Sequence, residues 1–584
     1  METLETVKSP PKVSKEARPR GERFGLFSVA TVAIWVGFLL FLILPLLSLL
    51  LVGVTGGQVD ILGAIFSSDI RADTFAALKD SSLSNITDVI GKPAYRAATL
   101  NSLKLSLLVA IVTTVMAAPI AYGLARTQMR LKRLITILCT MPIVVPTMVG
   151  AAGLIIMFGK SGWGTMLWQK LGGEGAPFNV YSMTGITLIM VFFLFPFVLW
   201  PMVAAFRIAD GSIENASKSL GARGLTSFLT STLPLALPGI ASSALLIFAI
   251  AFADFGAAIV LAPPNLNLVV VQAYREVSGF FNWGGASVLV LVMIVVVVAF
   301  YILQRAVVKG RDYSTLTSKG AKIEMASNPV LCRVLTVYSL VVAGIPTVII
   351  ASVAIQSFAK RWKGSLIPEE WTLRHYSLVL GPGIDNITNT LILSFGALLL
   401  TIVLGTFITY LVQRRNARSL DFISTLPVIV PGVALGIALI LSFNSGPLAL
   451  SGTATLLVIA YALRRLPYML RSTAGTMQAI GVEVEEAAGS LGASRVTTLW
   501  SIIFPLMRPG LIAGGILVFS TVVKETSLSV LLAPSAWKPM STRIFESLAR
   551  GELFTASALS VILIIIVVVL QQIAYRVAGG VEEA

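Results

Sequence analysis

The chain contains one histidine, His375, and two cysteines, Cys139 and Cys332, among 584 residues. A single histidine excludes histidine-based metal or acid–base chemistry. Two cysteines in or beside apolar runs offer neither metal-ligand spacing nor a disulfide framework. Charged residues make up 12% of the chain, about half the usual share of a soluble domain. No GxxxxGK[S/T] phosphate loop is present, so the chain cannot bind and hydrolyse ATP by that route. No cluster of His, Asp or Ser suggests an intramembrane enzyme, and no catalytic, metal-ligating or cofactor-binding residue is assigned.

What is present is hydrophobic. Apolar residues are 56% of the chain, arranged in runs near the length of about 20 residues that crosses a bilayer. An all-α polytopic membrane protein follows. The net charge of +16 does not mark a nucleic-acid partner, because most cations sit beside apolar runs, as the positive-inside rule requires.

Taken in order, residues 1–23 are polar, with Pro10, Pro11 and Pro19 among six cations, and read as a disordered cytoplasmic tail. The run at about 24–54 is too long for a signal-peptide core and is a retained first span. Further spans are expected at about 98–124, 134–158, 184–206, 237–262 and 286–304. The stretch 306–329 is a cationic cytoplasmic linker. Six more spans follow: about 330–356, 387–412, a ninth around Pro427 and Pro431, then 453–475, 510–533 and 556–576. Short loops carrying Arg126, Arg130, Lys132 and Arg133, and Arg414, Arg415 and Arg418, place both loops and both termini in the cytoplasm.

The second six spans repeat the first. Pro142 and Pro146 in the third span match Pro427 and Pro431 in the ninth, each 285 residues on. Pro196 matches Pro467 at 271. Six is even, so the halves enter from one side as parallel repeats, over 24–305 and 330–584. Paired prolines inside an apolar span break or kink its helix, and broken helices at membrane depth survive where surrounding protein or a cavity satisfies the freed backbone groups, so a pore-lining break is favoured over a purely structural kink. Pro142, Pro146, Pro427 and Pro431 are therefore candidates for the translocation path. Arg464 and Arg465 read as the edge of a kinked tenth span, in preference to a contact with a phosphonate or other anion.

Two polar islands interrupt the pattern. Glu485-Glu486-Ala487-Ala488-Gly489-Ser490-Leu491-Gly492 runs on to Pro505 and Pro509, and Glu214-Asn215-Ala216-Ser217-Lys218-Ser219-Leu220-Gly221 to Pro234 and Pro238. Gly221 and Gly492 are again 271 apart. Each island asks for a short helix, a glycine turn, and a second helix stopped by proline. A loop repeated at fixed spacing on the cytoplasmic side fits a shared docking partner.

Asp254 and Glu525 lie 16 residues past Pro238 and Pro509, about 24 Å along a helix. A carboxylate in hydrocarbon is costly and should face the bundle interior or water. The pair is placed on the translocation path, with a cap on a broken helix (Asp254) or an ion pair with Lys524 (Glu525) as the structural alternatives. That depth lies toward the external side; a twelve-span secondary transporter, which would instead place its coupling ionisable groups at mid-membrane, is the alternative function.

The Glu-Ala-Ala pattern, with a glycine six residues after the glutamate and a Leu-Pro or Phe-Pro end, resembles the cytoplasmic loop of binding-protein-dependent ABC importer permeases. The resemblance extends over nearly the whole chain as two fused permease units. It is greatest with the ferric-iron and 2-aminoethylphosphonate group, through Ala253-Asp254-Phe255-Gly256 and Lys524-Glu525-Thr526-Ser527-Leu528-Ser529; thiamine and polyamine importers are close relatives. It implies a bacterial inner-membrane permease working with two ABC ATPase subunits, which use the ATP, and an extracytoplasmic solute-binding protein. It assigns ATPase docking to Glu214, Asn215, Ala216 and Gly221 in the first loop, and to Glu485, Glu486, Ala487 and Gly492 in the second. Asn215 stands where the family has glutamate.

Overall fold

The computed structural model describes residues 26–57, 59–79, 83–208, 217, 219–222, 224–309, 325–362, 365–446 and 448–582. The expected tail 1–23, most of the linker, and Glu214, Asn215 and Ala216 lie outside them.

The described chain is almost wholly helical. A two-stranded antiparallel hairpin, Ala359–Arg361 with Glu370–Trp371, is the one sheet among the described residues. Among the described residues, seven helices are long and apolar enough to cross a membrane: Ser28–Thr55, Pro93–Arg126, Phe228–Phe252, Trp283–Val307, Pro329–Ser357, Ile384–Arg415 and Leu553–Ile573. Four bent pairs bring the total to as many as eleven. The remaining expected span, the tenth, is Ala454–Ala479, about 39 Å long at 1.5 Å per residue. Arg464, Arg465 and Arg471 within it lower its apolarity. It runs as one helix through Pro467, so Arg464 and Arg465 sit near its middle and not at a kinked edge. Its counterpart breaks at Pro196, where Met183–Leu194 and Pro196–Arg207 bend by 46°.

The apolar faces explain the bilayer. Ile392, Phe395, Leu399 and Val403 are exposed at helical spacing on one span, as are Val334, Val337 and Val341 on another. Stripes of this kind are stable when lipid tails cover them, with every backbone group satisfied inside its own helix.

Among the described residues, three helices widen to the π pattern, at Leu39–Ile43, Phe228–Thr232 and Leu499–Ile503. Each widening ends two residues before a proline: Pro45, Pro234 and Pro505. Proline lacks an N–H and clashes with the carbonyl four residues back, and a wider turn accommodates it. This corrects the expectation that Pro505 stops its helix. The helix passes it and ends at Leu506, with the 70° bend falling before Arg508. The fifth and eleventh spans also stop earlier than expected, at Phe252 and Val523. Short helices Gly256–Leu261 and Ser527–Leu532 then follow.

The halves interlock. Leu44–Thr55 of the first span packs on Gly432–Phe443 of the ninth as well as on its own sixth span. Pro329–Ser357, the seventh, packs on both pieces of the third span and on the twelfth. Ser442 donates to Ser48 at 3.1 Å, and Trp163 to Ser352 at 3.2 Å, one bond for each exchange. Within each half, spans two, four and five pack together, as do eight, ten and eleven.

Candidate functional site

The proline pairs do what their spacing predicts. Lys132–Val144 ends, Val145 and Pro146 are extended, and a new helix begins at Thr147 at 104° to the first. The ninth span breaks likewise at Pro431, by 106°, and restarts at Gly432. Proline suits the residue before a helix because its fixed φ and missing N–H lose nothing there.

The two breaks face one cavity of about 340 Å³. Pro142, Pro146, Pro431, Asp254 and Glu525 line it, whereas Pro427 is buried and off its lining. Arg464, Arg465 and Lys524 also line it.

Asp254 and Glu525 occupy equivalent places. Each caps the short helix after it: Ala257 N–H donates to Asp254 at 2.9 Å, and Leu528 N–H to Glu525 at 3.4 Å. Beyond that the halves differ. The Thr147 hydroxyl donates to Asp254 at 2.9 Å. The residue equivalent to Thr147 is Gly432, and a Cβ there would lie 1.8 Å from Nη1 of Arg464. Glycine leaves the opening through which Arg464 reaches Glu525, at 3.0 Å, while Arg465 binds its other carboxylate oxygen. The first half has Phe193 and Leu194 where these arginines stand.

Glu525 is thus not the partner of Lys524. The Lys524 ammonium donates instead to the carbonyl of Ile143, in the break of the third span. That break frees backbone carbonyls, and a cation from the other half satisfies one. The arginine pair could not be read as Glu525's partner from the sequence, because some 60 residues intervene and only Gly432 makes the approach possible.

The second polar island folds as Glu483–Ser490, a turn, and Arg495–Thr498 capped by the Ser494 side chain. Gly492 holds φ +82° and Gly221 φ +88°, left-handed values that glycine adopts without strain. Glu486 and Ala487 are exposed. Glu485 turns inward instead: Arg414 Nε and the Tyr410 hydroxyl both donate to it, and Arg414 also binds the carbonyl of Ile480. The residue just before each glycine was missed as a site. Leu491 is 89% exposed and Leu220 90%, and two such leucines at equivalent positions are an unusual pair of apolar knobs. Their signal was the repeated Leu-Gly itself.

Two six-span repeats, each with one span broken by a proline pair and another followed by a polar loop, with a cavity at the breaks that is largely apolar but carries five charged side chains, define a transport permease. The chain matches the family of binding-protein-dependent transport system inner membrane components twice, over residues 110–313 and 401–582. It belongs to that family, and is a multi-pass protein of the inner membrane. The ferric transport system permease protein FbpB of Actinobacillus pleuropneumoniae is 27% identical over 483 residues, covering 80% of this chain and 69% of the relative. A putative FbpB from Haemophilus influenzae is 28% identical, covering 74% and 69%. The putative 2-aminoethylphosphonate permease PhnV of Salmonella typhi is 25% identical over 233 residues, covering 39% of this chain and 88% of its own length.

Proposed function

We propose that the chain is the transmembrane permease subunit of an ATP-driven importer, its two units spanning about 24–305 and 330–584. It receives a solute from an extracytoplasmic binding protein and is driven by two ATPase subunits, one on each polar loop. The single observation that carries this reading is the pair of loops. Gly221 and Gly492 share a left-handed turn, and each presents a leucine that is about nine-tenths exposed. A single exposed leucine is ordinary; the same leucine beside the same glycine turn in both halves is what fits a shared partner.

In operation, closure of the ATPase pair pulls on the loops. The second loop is tied to the end of the eighth span by Arg414 and Glu485, so its movement reaches that span directly. The breaks at Pro146 and Pro431 are where the bundle changes direction, and reorientation there opens the cavity first to one side and then to the other. Asp254, Glu525, Pro142, Pro146 and Pro431 belong to this path. The termini and both loops are cytoplasmic, and ferric iron or 2-aminoethylphosphonate, the solutes named for the relatives, is the cargo.

Cysteine labelling tests the frame. Ser212→Cys and Val484→Cys should react with a membrane-impermeant reagent only from the cytoplasm, and reaction from outside would overturn it. For the drive, Leu220→Asp and Leu491→Asp should each lower co-purification of the ATPase; unchanged co-purification of both would remove the loops from the mechanism.

A further inference from the structure

We propose that the cavity between the two broken spans binds an anionic oxygen group, the phosphonate or carboxylate end of the solute, and excludes a bare multivalent cation. This rests on reading the chain as an importer permease and names the chemistry of its cargo.

The charges on the lining decide the sign. Arg464, Arg465 and Lys524 line the cavity together with Asp254 and Glu525, three cations against two carboxylates, and so a surplus of one positive charge. Charges facing each other in hydrocarbon act at an effective dielectric constant well below that of water, so a surplus of one is felt throughout so small a space. The negative charges are also the more fully engaged. Glu525 accepts from both guanidinium groups and an amide, and Asp254 from Thr147 and an amide. The cations keep donors in reserve. Nε and Nη2 of Arg464, and Nε and Nη1 of Arg465, have no hydrogen-bond partner among the described residues. Lys524 spends one of its three donors, on a neutral carbonyl.

Geometry adds to charge. Pro146 and Thr147, which open a twelve-residue helix, line the same cavity. The positive end of its dipole therefore faces the solute. Planar guanidinium forks suit the paired oxygens of phosphonate and carboxylate. A ferric ion entering as a bare cation meets the surplus charge, whereas an anionic ferric chelate meets the same donors as a phosphonate.

The test uses two neutral changes of opposite sign. Lys524→Met removes the surplus and leaves no carboxylate without its partners. Asp254→Asn doubles the surplus and keeps an oxygen for the Thr147 and Ala257 donors. The full-length chain, co-expressed with its ATPase and purified in nanodiscs, would be titrated with 2-aminoethylphosphonate, ferric citrate and spermidine. One of the two anions should bind and spermidine should not, and the anion that binds identifies the source. Lys524→Met should weaken that binding about tenfold or more, Asp254→Asn should strengthen it, and Lys360→Met, in the exposed hairpin, should leave it unchanged. Binding of spermidine in place of both anions, no anion binding at all, or two cavity variants that shift affinity in the same direction would overturn the proposal. ATPase co-purification in the same preparation reports on the underlying reading separately. Its loss would sink the importer reading, whereas an intact ATPase complex without anion binding sinks only this inference.

Discussion

Arg414 and Glu485 join the end of the eighth span to the loop helix that follows the tenth, across 71 positions of sequence. The side chains are 13% and 17% exposed, so the pair is largely shielded, and Arg414 adds a bond to the Ile480 carbonyl at 2.6 Å. Removing either partner strands the other. We expect Arg414→Ala and Glu485→Ala each to lower solute uptake per ATP hydrolysed in proteoliposomes. The double variant should be no worse than the more severe single one, because the pair acts as a unit. Additive losses would show that the two residues work separately.

Gly492 sits in open space, since a Cβ built there meets nothing within 4 Å. The cost of a side chain is then backbone strain alone, about 1–2 kcal/mol for a left-handed β-branched residue. Gly492→Val should reduce ATPase co-purification. Gly492→Asn should retain most of it, because asparagine tolerates that conformation. Equal loss in both would point to a steric contact with the partner instead.

Gly432 has the opposite problem. A methyl group there collides with Arg464 and also comes within 2.8 Å of Ser527. Displacing Arg464 from Glu525 should destabilise the purified protein by about 1–3 kcal/mol, the cost of losing one bond to a buried charge. Thermal unfolding of Gly432→Ala would measure it, and adding Arg464→Gln should recover part of the loss by relieving the clash. A melting temperature equal to wild type would mean that Arg464 is not held where the geometry puts it.

At the glutamate position of the motif the loops differ in charge: Glu486 keeps the carboxylate that Asn215 lacks. A carboxylate in the first turn of a helix is favoured by the dipole, by about 0.3–1 kcal/mol. Glu486→Ala should therefore weaken ATPase assembly and uptake more than Asn215→Ala. A larger loss from Asn215→Ala would move the weight to the apolar knobs, Leu220 and Leu491.

The interlock can be tested by cross-linking. Ser48→Cys and Ser442→Cys, in a background with Cys139 and Cys332 replaced by alanine, should form a disulfide because their hydroxyl oxygens lie 3.1 Å apart. With a protease site placed within residues 310–324, the cut halves should stay joined until reduced. Halves that separate without reductant would refute the exchange of first spans.

Much of this architecture was legible because it rests on local rules. Proline pairs break helices wherever they occur, so the bends after Val144 and before Gly432 could be read directly, and glycine turns at Gly221 and Gly492 likewise. The twofold repeat was legible through spacing alone. Other features depend on contacts that no local rule encodes. Arg464 and Arg465 would be expected at a membrane edge, where charge is cheapest, and only a carboxylate from another span makes the interior tolerable. Lys524 was read beside its neighbour in sequence, whereas it reaches a carbonyl in the opposite half. Pro505 was read as a stop because the widened turn at Leu499–Ile503 that admits it leaves no mark in the sequence.

The two halves have diverged at the cavity, Thr147 with Asp254 on one side and Gly432, Arg464 and Glu525 on the other. That division of labour holds only when unlike halves meet. Two copies of the first half would bring together two carboxylates with no arginine, and two copies of the second would crowd four guanidinium groups into one space. A single polypeptide removes the choice. The tether holds the second half at a high effective concentration beside the first, so assembly order, stoichiometry and pairing are settled at translation. Covalent fusion is what allows the lining to be lopsided, and a lopsided lining is free to specialise as one made from two identical subunits is not.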